Sequence, residues 1–221
     1  MALSDSLERI RAAERLAGRP AGSVTLIAVS KVQPVDRVVA ALEAGQRIFG
    51  ENYVQEAQGK WPGLRARFAD VSVHMIGPLQ TNKAKPAVEL FAAIHTVDRP
   101  SLAEKLARLA EARGACPDIF IQVNTGAEPQ KAGLLPEAVD GFVADCRALA
   151  LPVVGLMCIP PEGDDSRPHF RMLAGMARRN GLAGLSMGMS GDFEAAIAEG
   201  ATHVRIGSAI FGARMPGQRG A

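Results

Sequence analysis

Cysteine, tryptophan and tyrosine are scarce in this chain. Its 221 residues include three cysteines, one tryptophan and one tyrosine. Cys116, Cys146 and Cys158 are odd in number and far apart. That excludes a disulfide framework and a zinc knuckle, and it points to buried thiols in a reducing, cytoplasmic setting. The four histidines show no HExxH spacing, so no metal motif is present. No apolar run reaches the length of a membrane span. The opening residues MALSDSLERI have neither a basic nor an apolar stretch of the kind a signal peptide needs. Neither sign of charge dominates: 25 basic against 23 acidic residues leave a net charge of +2. With no basic block and no aromatic-basic platform, a nucleic-acid partner has no support. No low-complexity linker divides the chain, so a single domain over 1–221 is expected, with a glycine-rich, frayed tail from Arg214.

What is abundant is alternation. After an amphipathic helix carrying Leu3, Leu7, Ile10, Ala13 and Ala17, with Asp5 and Glu8 placed as a capping box, the run LIAV at Leu26–Val29 reads as a buried parallel strand. Val35, Val38, Val39 and Leu42 then form a helical stripe stopped by Gly45. Further strands are expected at 47–50, 72–77, 92–97, 118–123, 152–157, 184–189 and 202–206. Helices are expected between them, one with a Ser101–Glu104 capping box and one opened by Pro168. Strand-then-helix repeated about eight times closes into a (β/α)8 TIM barrel, and this chain lies near the short end of that fold's range, about 200 to over 400 residues. An open doubly wound sheet is the alternative, weakened because no GxGxxG follows the first strand.

Barrels build their active face from the loops after the strands. Lys31 stands just beyond the first strand, where partial desolvation lowers a lysine's pKa and frees its amine to attack an aldehyde. A solvated lysine on a snorkelling stem is the plain alternative. Asn52 either donates to a ligand or caps the next helix. LSMGMSGD and VRIGSAIFG end the last two strands, where barrels often bind phosphate. Gly188, Gly191 and Gly207 would let backbone approach a ligand, Ser190 and Ser208 offer hydroxyls, and the Gly207 and Ser208 amides open a short helix. Alternation puts Arg205 and Gly207 on one face, opposite Val204 and Ile206, and an inward arginine near the barrel mouth needs either a buried acid or a ligand. His74 and His95, on apolar strands, read as satisfied core histidines. Lys83 and Lys131 read as solvated loop lysines on the same face as Lys31.

Taken in order, AVSKVQP, FGENYVQE, HMIGPLQTNK, HTVD, QVNTGAEPQKAG, GLMCIPP and LSMGMSGDFEAAIAEGATHVRIGSAIFG resemble the pyridoxal phosphate homeostasis protein family from about Val24 to Arg214. The resemblance implies a monomeric barrel similar to the N-terminal domain of alanine racemase and holding pyridoxal 5′-phosphate (PLP). It makes Lys31 the Schiff-base lysine and places Asn52 near the cofactor ring. It sets Arg205 against the pyridine nitrogen, with Ser190, Gly207 and Ser208 on the phosphate. Met75 and Thr96 depart from the family's more frequent aromatic and serine at those positions, away from the implied contacts. An arginine accepts no proton, so it leaves the pyridine nitrogen unprotonated and weakens the ring as an electron sink. The implied role is a non-catalytic carrier that buffers PLP and hands it to PLP-dependent apoenzymes. A racemase is the alternative. It needs a base on each face of the substrate carbon, and the only tyrosine is Tyr53. A lysine aldolase acting on sugar phosphates is a third class.

Overall fold

The computed structural model describes residues 3–212. In chain order the elements are α1 (Leu3–Leu16), β1 (Thr25–Val29), α2 (Val35–Glu43), β2 (Ile48–Glu51), α3 (Val54–Arg65), β3 (Ser72–Met75), α4 (Ala84–Leu90), β4 (Ala93–Val97) and α5 (Pro100–Arg113). There follow β5 (Asp118–Val123), α6 (Val139–Ala148), β6 (Val153–Cys158), α7 (Ser166–Arg179), β7 (Gly184–Ser186), α8 (Phe193–Ala198), β8 (His203–Ile206) and α9 (Ser208–Phe211). The eight strands pair in sequence order and close into one parallel barrel. The expected tail from Arg214 lies outside the described residues. Among those residues no helix is long and apolar enough to cross a membrane.

Closure is made by β1 against β8, with Thr25, Leu26, Ile27 and Ala28 in register with His203, Val204, Arg205 and Ile206. Helices pack on the outside: of the stripe expected for α2, Val38 and Leu42 are buried, joined by Ala41, while Val35 is 50% exposed, and Leu102 and Leu106 of α5 are buried. Trp61 of α3 lies against Phe49 of β2, ring centroids 5.0 Å apart. Gly114 ends α5 with φ +71°, a left-handed cap that glycine adopts without a Cβ clash.

Some local expectations fail. Neither capping box forms. Asp5 lies inside the first turn of α1, which is already helical at Leu3. Arg99, which makes no side-chain capping bond, is the N-cap of α5, because Pro100 with its fixed φ takes the first helical position. The Pro168 helix starts at Ser166, where Asp165 accepts the Arg167 N–H at 3.1 Å. The expected seventh strand also shortens to Gly184–Ser186.

Glycine fixes the barrel's girth at one point. A Cβ on Gly155 of β6 would stand 2.3 Å from the Gly184 carbonyl oxygen and 2.6 Å from the Phe120 ring. Gly155→Ala should therefore cost about 1–3 kcal/mol or more, as overpacked cores do. Gly59→Ala, on the open face of α3 with nothing within 4 Å, should gain about 0.5–1 kcal/mol. Denaturant midpoints of the two variants check both signs.

Candidate functional site at the carboxyl-terminal mouth

Lys31 sits at the tip of a tight turn after β1. The Gln33 N–H bonds the Ser30 carbonyl at 3.2 Å, so Lys31 and Val32 are the two central residues. Val32 has φ +51°, a conformation that disfavours a β-branched side chain and costs on the order of 1–3 kcal/mol. A polar cluster holds it there. The Val32 N–H donates to Glu56 Oε1 at 2.7 Å. Lys60 Nζ, on the next turn of α3, donates to Glu56 Oε1 at 2.7 Å, to Glu51 Oε1 at 3.0 Å and to the Ser30 carbonyl at 2.8 Å. Ser30 Oγ and Trp61 Nε1 also donate to Glu51 Oε1, at 2.8 and 3.1 Å. Burial pushes the Glu51 carboxyl above its ordinary value, and Lys60 pulls it back. Glu51, Glu56, Lys60 and Val32 had no place in the sequence reading. A glutamate ending an otherwise apolar strand, with a lysine on the following helix, was the one available signal.

Register brings the last two loops to Lys31. A Cβ on Gly207 would lie 3.3 Å from the Val29 carbonyl oxygen, so the turn after β8 runs against the end of β1, two residues before the lysine. Gly207 is the N-cap of α9, whose first amides have no acceptor within the helix. Ser208 Oγ donates to Ser190 Oγ at 3.4 Å, joining the loops after β7 and β8. Gly188, at φ +91°, is needed because a Cβ there would meet Ala196 and Phe193 of α8 at 2.6 and 2.9 Å, and Gly191 faces open space.

Asn52 is half-buried on the loop after β2. It is not the helix cap, since Tyr53 precedes α3. Its backbone is pressed against Gly77, where a Cβ would stand 2.5 Å from the Asn52 carbonyl oxygen, and Thr96 Oγ1 donates to the Gly77 carbonyl at 2.8 Å.

Arg205 is 4 % exposed and points into the barrel. Nη1 donates to Ser186 Oγ and Nη2 to the Cys158 carbonyl, both at 2.8 Å. Among the described residues no carboxylate stands within ion-pair distance of it. Burial lowers the guanidinium from its ordinary value, with Cys158 and Asp192 opposing. Of the two expected partners, buried acid or ligand, the acid is absent from the described residues.

His74 and His95 are satisfied core histidines, 3.0 Å apart through His74 Nδ1 and His95 Nε2. Lys131 departs from the solvated expectation: it pairs with Glu128 at 2.6 Å and donates to the Pro160 carbonyl at 3.2 Å, tying two mouth loops together. Lys83 is half-exposed at the end of a 3-10 turn, Thr81–Lys83. Among the described residues no group of three or more His, Cys, Asp or Glu could hold a metal ion.

A closed parallel barrel with a lysine after its first strand and an amide-rich turn after its last places the chain in a recognisable class: the family model for the alanine racemase N-terminal domain matches residues 4–215. Within that class its relatives are specific. The pyridoxal phosphate homeostasis protein of Pseudomonas aeruginosa is 44% identical over 218 residues, covering 93% of this chain and 91% of the relative. That of Escherichia coli K12 is 39% identical, with 96% and 95% covered. PipY of Synechococcus elongatus, solved with PLP bound, superposes with a TM-score of 0.80 at 38% identity, covering 93% of this chain and 99% of PipY. Alanine racemase of Bartonella henselae shares the fold at a TM-score of 0.69 and 15% identity, with 97% of this chain and 61% of the racemase covered. This chain belongs to the pyridoxal phosphate homeostasis protein family.

The Lys31 turn depends on a buried charge cluster, so breaking the cluster should be felt. Lys60→Met leaves Glu51 and Glu56 without their cation and should cost about 3–5 kcal/mol in urea unfolding. The barrel histidines set a pH dependence. Burial lowers His74 and His203 to about 4 and holds His95 well below its ordinary value. Unfolding lets each take up a proton below its ordinary value of 6.5. Stability should therefore be complete above that pH and fall as pH drops toward about 4, by up to about 1.4 kcal/mol per histidine per pH unit. Urea midpoints measured between pH 7 and 4 check the sign.

Proposed function

We propose that this protein holds PLP on Lys31 and carries it, buffering the free aldehyde inside the cell, rather than turning over amino acids. The observation that carries the reading is the β1–β8 closure. It sets the turn bearing a lysine against a turn that presents amides and two serine hydroxyls, with a buried arginine lacking a described carboxylate partner on the same strand.

The donor set fits the group. PLP has an aldehyde, a ring nitrogen that accepts a hydrogen bond and a phosphate. When bound, it supplies an electrophilic carbonyl and a conjugated ring. Lys31 supplies the amine for the aldehyde. Ser190, Ser208 and the amides at Gly207 and Ser208 take the phosphate, as expected of anions at such turns. Arg205 donates to the ring nitrogen, and Asn52 lies beside the ring. Because a guanidinium holds its proton, Arg205 keeps the ring nitrogen an acceptor and limits electron withdrawal toward the ring. That chemistry supports holding over catalysis. Tyr53 is 43% exposed at the N-cap of α3, outside the buried setting that tunes a catalytic base. The names and bound ligand of the relatives support PLP as the cargo. The three free thiols support a cytoplasmic site of action, where the protein works as a monomer and delivers PLP to apoenzymes that require it.

Borohydride treatment of the PLP-loaded protein should fix the mass of the reduced cofactor on Lys31, read by peptide mass spectrometry. Lys31→Ala should lose this adduct and the visible absorbance while retaining weak phosphate-dependent binding. Label confined to Lys83 or Lys131 would refute the site, and steady Lys31-dependent racemisation of alanine or serine would refute the carrier role.

A further inference from the structure

A line of polar side chains runs inside the barrel behind Arg205. His74 of β3, His95 of β4, Ser186 of β7 and Arg205 of β8 are 8%, 0%, 0% and 4% exposed. They are joined in series. His74 Nδ1 is 3.0 Å from His95 Nε2, His95 Nδ1 is 2.9 Å from Ser186 Oγ, and Arg205 Nη1 is 2.8 Å from the same Oγ. TIM barrels ordinarily fill this space with branched apolar residues. Buried polar groups in their place are costly unless every one is paired.

Donor counting gives the series a direction. A guanidinium has only donors, so Ser186 Oγ accepts from Arg205. The Ser186 hydroxyl hydrogen then has one described acceptor, His95 Nδ1. His95 therefore carries its proton on Nε2 and gives it to His74 Nδ1, and His74 carries its own proton on Nε2. Burial keeps both rings, and His203 beside them, in the neutral form at pH 7, so no second positive charge competes with Arg205. His95 is also clamped flat on Phe120, ring centroids 4.1 Å apart and planes 11° from parallel. At the far end, His74 and His203 line an open cavity of about 320 Å³ at the amino-terminal mouth.

We propose that His95 and His74 are positioning residues for Arg205: acting through Ser186, they fix the roll of the guanidinium so that one of its remaining N–H groups stays aimed at the ring nitrogen of bound PLP. The proposal rests on the carrier reading above. Nη1 is held by the Ser186 relay and Nη2 by the Cys158 carbonyl, and each keeps a second N–H for the ligand. Without an acceptor at His95, the Ser186 hydroxyl must turn to find another, and the Nη1 anchor goes with it.

Three variants separate positioning from packing. His95→Phe keeps an aromatic ring against Phe120 but removes the acceptor. Ser186→Ala cuts the link directly. His95→Asn sets an amide oxygen near the place of Nδ1. His95→Phe and Ser186→Ala should each shift the visible band of the PLP-loaded protein and weaken PLP binding about tenfold, as loss of an anchored charged donor does. The double variant should be no worse than either alone, because both break one series. His95→Asn should stay near the wild type. An unshifted band with unchanged PLP affinity, an additive double variant, or an Asn variant as impaired as Phe overturns the proposal. Should His95→Phe fail to fold, histidine ¹⁵N shifts of the cofactor-free wild type decide independently: both rings neutral and protonated on Nε2 at pH 7 is the expected result, and an Nδ1-protonated His95 overturns it. A wild type that never takes up PLP strikes the carrier reading instead, and the tautomers then decide the relay alone.

Discussion

The site depends on the pairing of the first strand with the last. Residues far apart in sequence, Ile27 and Arg205, are register partners across β1 and β8. That pairing sets the Lys31 turn beside Gly207 and puts Arg205 in the wall between them. In an open sheet the first and last strands need not touch, and the lysine and the amide turn would belong to different edges. Closure also gives every strand's carboxyl end a common rim, which is why binding groups from several loops converge there.

Each half of the site is braced from behind by polar groups, and both braces are unusual for a small barrel. Behind Lys31, the Glu51–Lys60–Glu56 cluster holds a valine in a left-handed conformation. Behind Arg205, neutral imidazoles and one hydroxyl stand where aliphatic packing would be expected. Both arrangements forgo apolar burial, worth about 25 cal/mol per Å², for directional bonds that fix side-chain orientation. Side chains oriented before a ligand arrives lose less freedom on binding it. The outer shell, from Trp61 and Phe49 to Phe170 and Phe193, supplies the apolar burial that the interior gives up.

Much of this was legible in the chain. The alternation of apolar runs and helical stripes predicts eight strand–helix units, and they are present. That Arg205 faces away from Val204 and Ile206 follows from strand alternation. Helix starts were less legible: Ser101 and Glu104 have the spacing of a capping box, yet Pro100 wins the first position because its φ is already helical. What stands close to Gly188 was not legible for a related reason. A glycine in a loop says that something comes close, without saying whether it is ligand or the next helix.

Residue order by itself determined the strand count, the place of Lys31 in the loop after the first strand and that of Gly207 and Ser208 in the turn after the last, because these follow from local periodicity and from which residues bound each strand. Only the tertiary structure decided that Val32 is held by Glu56, that Lys131 is tied to Pro160 rather than solvated, and that His74, His95, Ser186 and Arg205 form one series. Those bonds join strands and loops distant in sequence, and their partners are chosen by barrel register and close packing, which no local pattern encodes.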